Sequence, residues 1–345
     1  MTTVLGEARR WGGVLWLGVA AMGCATAVRT TSVDAPPDVV ARDAAAPASS
    51  GFGPHTVEPT AFLDDVDEEI DRDLRRHAWM AEHAEGDERL RAWQGLGESY
   101  ARRAHRVGYA RDVLLDQAFA AAEVQRLSLE TLAKRLQAEQ VQWWRRAAAA
   151  YDHVLDSVGP STLDLRPRAR WGLAEVLVNQ GKADEHRTIL RALVRDDPDS
   201  GLAAHAIVTL GDIAFGEQRF GDARRLYMAG MDHDDDAQRG YATYKLGWVE
   251  FLEGHQDRAL GRWTQVVRGS REHPTRHALA DEAANDCVMA YVSVGRPELA
   301  QAFFERLHPR LAAQLLERLA QAYVGAGDPE SAQLVRSGLK RRPSL

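Results

Sequence analysis

Apolar positions recur with helical spacing through most of the chain. Phe62, Val66, Ile70 and Leu74 fall every four residues, the single stripe of an amphipathic helix. From about Ala110 to Ser157 there is neither Gly nor Pro, helix formers dominate, and Leu114, Phe119, Val124, Leu127 and Leu136 are among the positions that supply apolar stripes. The clearest pattern lies in Ala204–Val267, where one stretch occurs twice at an offset of 36 residues. Leu210-Gly211 returns as Leu246-Gly247, Phe215 as Phe251, Ala223 as Ala259, and Tyr227 as Trp263. A fixed period in this range marks a repeat architecture.

Each unit reads as two short helices. The first carries Leu-Gly near its middle and an aromatic four residues on; the second carries a small Ala and an aromatic one turn later. Residues four apart share a helix face, so a small residue admits a facing helix and the large one fills the space beside it. One such hairpin cannot bury its apolar face alone, and stacking neighbours does so.

These residues resemble the tetratricopeptide repeat (TPR). Trp93, Leu96, Gly97 and Tyr100 match its first-helix signature, and Pro167 to Pro198 follows with Leu173-Ala174, Gly181 and Leu190. His186 stands where that unit should carry a small residue. Tyr291, Gly295, Ala300 and Phe304 make a further copy, and Tyr323, Gly327 and Ala332 a last one without the second-helix aromatic. The implied fold is all-α, a TPR-like α-solenoid of stacked helix hairpins with a long helical insertion in the first repeat. That insertion, near 110–157, reads either as helix inserted between the two helices of the first unit or as a degenerate helix pair. The expected body comprises an N-terminal helical region over 60–166, repeats over 167–339, and a basic tail over 340–345 with Lys340, Arg341 and Arg342.

In the family the first helices line a concave face. Carried onto this sequence, the groove-facing positions include Trp171, His205, Phe215, Tyr241, Tyr244, Trp248 and Phe251, while Glu282, Asn285, Met289 and Gln314 give the last repeats a more polar lining. Trp and Tyr are favoured anchors for a partner. The competing expectation is a groove filled by tight coiling or by an adjacent element.

The N-terminus reads as an address. Residues 1–23 join a basic edge, Arg9-Arg10, to an apolar run too short to span a bilayer comfortably. Ala21-Met22-Gly23-Cys24 resembles a bacterial lipobox, which implies lipidation of Cys24 and a lipoprotein signal peptide. Cleavage at Ala25-Thr26-Ala27 and a retained anchor helix are the other readings. Residues 24–59, rich in Ala, Pro, Ser and Asp, have the composition of a disordered tether. The expectation is an outer-membrane lipoprotein facing the periplasm, held to the bilayer by acylated Cys24, with a soluble periplasmic protein as the alternative. The resemblance implies a non-catalytic scaffold or adaptor for other envelope proteins or peptide segments. The rivals are a regulator of a cell-wall enzyme and a periplasmic chaperone-like binder.

Composition narrows the chemistry. The net charge of −7 with dispersed Lys and Arg gives no nucleic-acid partner. No phosphate loop, Ser/His/Asp signature or Cys/His metal pair is legible, so no cofactor and no metal is expected. Asp232-His233-Asp234-Asp235-Asp236 mimics the start of a calcium loop, but Ala237 and Thr243 stand where that loop needs Gly and Glu. Cys287, the only cysteine besides Cys24, sits at a first-helix core position as a small hydrophobe.

Overall fold

The computed structural model describes residues 61–233, 235–270 and 277–340, with backbone alone for 61–66 and 340. The expected signal segment, Cys24, the tether to residue 59 and tail residues 341–345 lie outside the described residues. Among the described residues the chain forms thirteen α-helices and no strand. They are α1 (Ala61–His83), α2 (Gly86–Ala120), α3 (Glu123–Ser157), α4 (Leu165–Asn179), α5 (Ala183–Asp196), α6 (Gly201–Gly216) and α7 (Phe220–Met231). Then follow α8 (Asp236–Leu252), α9 (Gln256–Gly269), α10 (His277–Val294), α11 (Ala300–Leu307), α12 (Ala312–Gly325) and α13 (Pro329–Lys340).

The chain reverses by one device used four times. After α4, α6, α8 and α12 a residue adopts positive φ: Gly181 (72°), Gln218 (60°), Gly254 (86°) and Gly327 (80°). The next amide then donates back five residues, Lys182 to the Leu177 carbonyl, Arg219 to Ala214, His255 to Glu250 and Asp328 to Tyr323, at 2.8–2.9 Å. This Schellman closure satisfies carbonyls the helix end would leave bare. Three of the four positions are Gly, the residue that accepts this backbone without a Cβ clash.

Between the two helices of a unit, glycine meets an aromatic ring. A Cβ on Gly211 would sit 2.7 Å from the Tyr227 ring, and one on Gly247 2.3 Å from Trp263. Tyr227 and Trp263 are fully buried, so the recurring Gly and second-helix aromatic are two halves of one contact. Tyr151 of α3 lies under Gly97 of α2 and Gly172 of α4 at once, each too close for a Cβ. It thereby locks the first unit to the second.

Consecutive helices pack together, and the first helices of successive pairs touch in series: α2 with α4, then α6, α8, α10 and α12. The architecture is a TPR-like α-solenoid with α1 packed on α2. Aspartates of α1 meet arginines of α2 there, with Arg102 to Asp73 at 2.5 Å and Arg103 to Asp67 at 2.9 Å. The core follows the helix seams, its largest cluster running from Ala259 on α9 to Val335 on α13.

The long helical insertion of the first unit is continuous with the two helices it separates. The first helix of the opening unit continues past Arg103 to Ala120, and the second begins early at Glu123, each 35 residues long. The reversal falls at Ala121 and Ala122, both in extended backbone. Gly86, at φ 54°, begins α2.

His186 occupies the small-residue position of α5 by turning its imidazole into the seam, where Nδ1 donates to the Ala174 carbonyl at 2.8 Å. Burial lowers its pKa, against the hydrogen bond to Ala174, which raises it. Cys287 on α10 is fully buried, and burial pushes its thiol up to about 12.

Candidate binding face of the first helices

The seven aromatic and imidazole residues expected on the first-helix face fall into three neighbouring groups. All seven are half-buried. Trp171 of α4 meets His205 of α6 edge-on, ring centres 5.7 Å apart. His205 Nε2 lies 3.4 Å from Asp235 Oδ2. Burial depresses the imidazole pKa, and Asp235 partly offsets this. Asp235 also caps α8, accepting from the amides of Ala237 at 2.8 Å and Gln238 at 3.0 Å. The acidic run that mimics a calcium loop thus places one carboxylate as a helix cap and another, Asp236, beside Arg239 at 2.8 Å.

The second group joins Phe215 and Tyr241 through two residues that the repeat pattern did not single out as a pair. Asp212 accepts from the Tyr227 hydroxyl at 2.6 Å and from the Tyr241 hydroxyl at 3.1 Å. Lys245, buried, brings Nζ to 3.4 Å from Asp212 and 4.3 Å from the centre of the Phe215 ring. A buried ammonium is costly unless paired; here a carboxylate and the face of an aromatic ring offset that cost. Burial and the neighbouring carboxylate push both phenols far above their ordinary range, so they stay protonated and donate to Asp212.

Tyr244, Trp248 and Phe251 form the third group, against α9 and α10. The Tyr244 hydroxyl donates to Asp286 Oδ2 at 2.8 Å. Trp248 packs 5.4 Å from Trp263, and Phe251 lies 5.7 Å from the same ring. Trp263 in turn donates its indole N–H to the Tyr244 carbonyl at 3.2 Å. Asp286 is pushed up to about 7, first by burial, against hydrogen bonds from Tyr244 and Trp248; Glu282 raises it further and Arg318 lowers it. Glu282, one turn before Asp286 on α10, is itself raised by burial.

These aromatics are therefore at once packed and partly exposed. Tyr244, Trp248 and Phe251 pack against the C-terminal core cluster, Phe215 and Tyr241 against the one before it, and Trp171 against the cluster of α4, α5 and α6. Four carboxylates accompany them, Asp212, Asp235, Glu282 and Asp286, together with the paired cation Lys245. Sequence could have flagged Lys245, since its counterpart 36 residues earlier is Thr209 and a Lys amid a core pattern is out of place. The partnership of Tyr244 with Asp286 spans 42 residues and two helices, and no local pattern carries it.

Among the described residues one trio could bring ligand atoms to a metal: Glu250, Glu253 and His255, within 4.8 Å of one another. Arg224 already bridges both carboxylates, reaching Glu250 at 3.0 Å and pairing with Glu253. The guanidinium thus supplies the positive charge that a metal would bring.

No family model and no curated protein matches the sequence. Solved structures similar to this chain include Pseudomonas aeruginosa PilF, at 15% identity and a TM-score of 0.39, covering 68% of this chain and 92% of that one. BtubC of P. vanneervenii matches at 14% identity and a TM-score of 0.45, covering 83% and 95% respectively. A computationally designed self-assembling cyclic homooligomer matches at 14% and 0.21, covering 81% and 94%. Among the described residues no helix is long and apolar enough to cross a membrane.

Proposed function

We propose that the protein is a non-catalytic interaction scaffold whose first-helix face holds a segment of another envelope protein. One observation carries this reading: half-buried aromatics and carboxylates of three successive first helices, α6, α8 and α10, are coupled by side-chain contacts into one continuous surface. Rigid aromatics contribute contact area at low entropy cost, and Glu282 and Asp286 add acceptors beside them. On this reading Cys24 is acylated and residues 24–59 tether the solenoid to the outer membrane from the periplasmic side.

The test is an affinity pull-down from native envelopes, comparing the unaltered chain with Tyr244→Ala/Trp248→Ala and with Glu282→Lys. Loss of one specific partner in both variants, with circular dichroism unchanged, supports the groove. Equal retention in both would end the assignment of this face. The anchor is tested separately: Cys24→Ser should accumulate unprocessed precursor and lose acyl label, and continued lipid labelling would rule the lipobox out.

A further inference from the structure

The distal half of the α2–α3 hairpin has no core beneath it. Beyond Gly108 on α2 only Ala118 is buried, and before Trp144 on α3 only Ala133 is. Yet of the sixteen exposed large apolar side chains among the described residues, seven lie between Tyr109 and Val141. Phe119 is 95% exposed, Val124 84% and Leu127 68%. Leu115 and Phe119, four apart, share one face of α2; Val124 and Leu127, three apart, share one face of α3. The latter face points away from the buried Ala133 and half-buried Leu129 and Leu136. Spread over both helices of the arm, the seven leave on the order of 600 Å² of apolar surface in water.

The charges beside this surface select the occupant. Between residues 109 and 141 there are four basic and five acidic side chains, so the arm lacks the basic excess that an anionic lipid surface would attract. Along α3, Glu123, Arg126, Glu130 and Lys134 form a stripe of alternating sign flanking Val124 and Leu127, with Arg126 and Glu130 3.9 Å apart. A series of negative, positive, negative, positive is complementary to its own reverse and repels its own parallel copy. Two antiparallel α3 helices crossing near Ser128 and Leu129 would set Glu123 against Lys134 and Arg126 against Glu130, each pair occurring twice. This is the self-complementarity an isologous contact requires.

We infer that the hairpin tip is a homodimer contact, in which a second copy lays its α3 antiparallel on the Val124–Leu127 face and the two hairpins close a four-helix bundle. Two such faces bury on the order of 1,000 Å², the size at which a specific interface becomes stable. The flanking charges fix register, as they do beside a coiled-coil seam.

The decisive experiment uses the full chain. Ser128→Cys, oxidised in cells, should yield a disulfide-linked homodimer. It should be absent from the unsubstituted chain and from Gln137→Cys, whose two copies this register holds about 25 Å apart. In sedimentation of the purified chain, Glu123→Lys should weaken the dimer about tenfold, because symmetry enters the reversed pair twice. Adding Lys134→Glu should restore it, with circular dichroism unchanged throughout. A chain that stays monomeric at all concentrations, a Ser128→Cys link only to a different protein, or a Glu123→Lys defect that Lys134→Glu fails to repair would each overturn the inference.

Discussion

Gln218 is the one non-glycine among four equivalent turn positions, and its φ of 60° carries a steric penalty that Gly181, Gly254 and Gly327 avoid. Its counterpart 36 residues later is Gly254, so the repeat itself supplies the correction. Gln218→Gly should stabilise the protein by about 0.5–1 kcal/mol, read from thermal or urea denaturation. No gain would mean that the Gln side chain makes a compensating contact. Gly247 poses the opposite case. A Leu there would drive its side chain into Trp263 and break the indole bond to the Tyr244 carbonyl. A loss of about 3 kcal/mol is expected, with a shift in Trp fluorescence. An unchanged melting temperature would contradict the Gly–aromatic contact.

At the scale of helices, the 36-residue offset made the central pairs legible because each pair repeats one closure and one Gly–ring contact. The elongated first unit was not legible as such. Gly97 and Tyr151 are 54 residues apart, where Gly211 and Tyr227 are 16 apart, and the reversal at Ala121-Ala122 carries no Gly or Pro to announce it. The candidate face was legible only in part: its aromatics follow the repeat phase, whereas Asp212 with Lys245 and Asp286 with Tyr244 arise from packing between units. The extended arm yields its own prediction. Gly108 and Gln140 lie side by side, so residues 110–139 can be replaced by a short Gly-Ser link. Because that stretch buries only Ala118 and Ala133, the melting temperature, compared at a dilution where both chains are monomeric, should stay within about 4 °C. A large fall would show that the arm supports the repeats.

For the whole molecule, pH acts through two groups of opposite sign. Burial depresses the imidazoles of His77, His186 and His205. The unfolded chain therefore takes up their protons first, so the stability they contribute is complete above about 6.5 and is lost as pH falls below it. Asp286 behaves inversely: raised to about 7, it contributes stability that is complete below its ordinary value of 3.8 and is lost as pH rises through about 7. Asp286→Asn keeps an acceptor for Tyr244 and removes that loss. Its melting temperature should exceed that of the unaltered chain at pH 8, with the gap closing toward pH 5. His186→Gln should make the acid-side loss shallower, leaving the shares of His77 and His205. A constant gap for Asp286→Asn across this range would show that the carboxylate is already ionised when folded.

The buried thiol on α10 gives the chain an internal clock. Cys287 touches no solvent, and its raised pKa leaves almost no thiolate to react. An alkylating reagent can reach it only when α9, α10 and α12 part, so the modification rate counts those partings. Because a solenoid holds each unit through its neighbours alone, this rate and the global unfolding rate need not agree. Their ratio would measure how independently the C-terminal end of the array breathes.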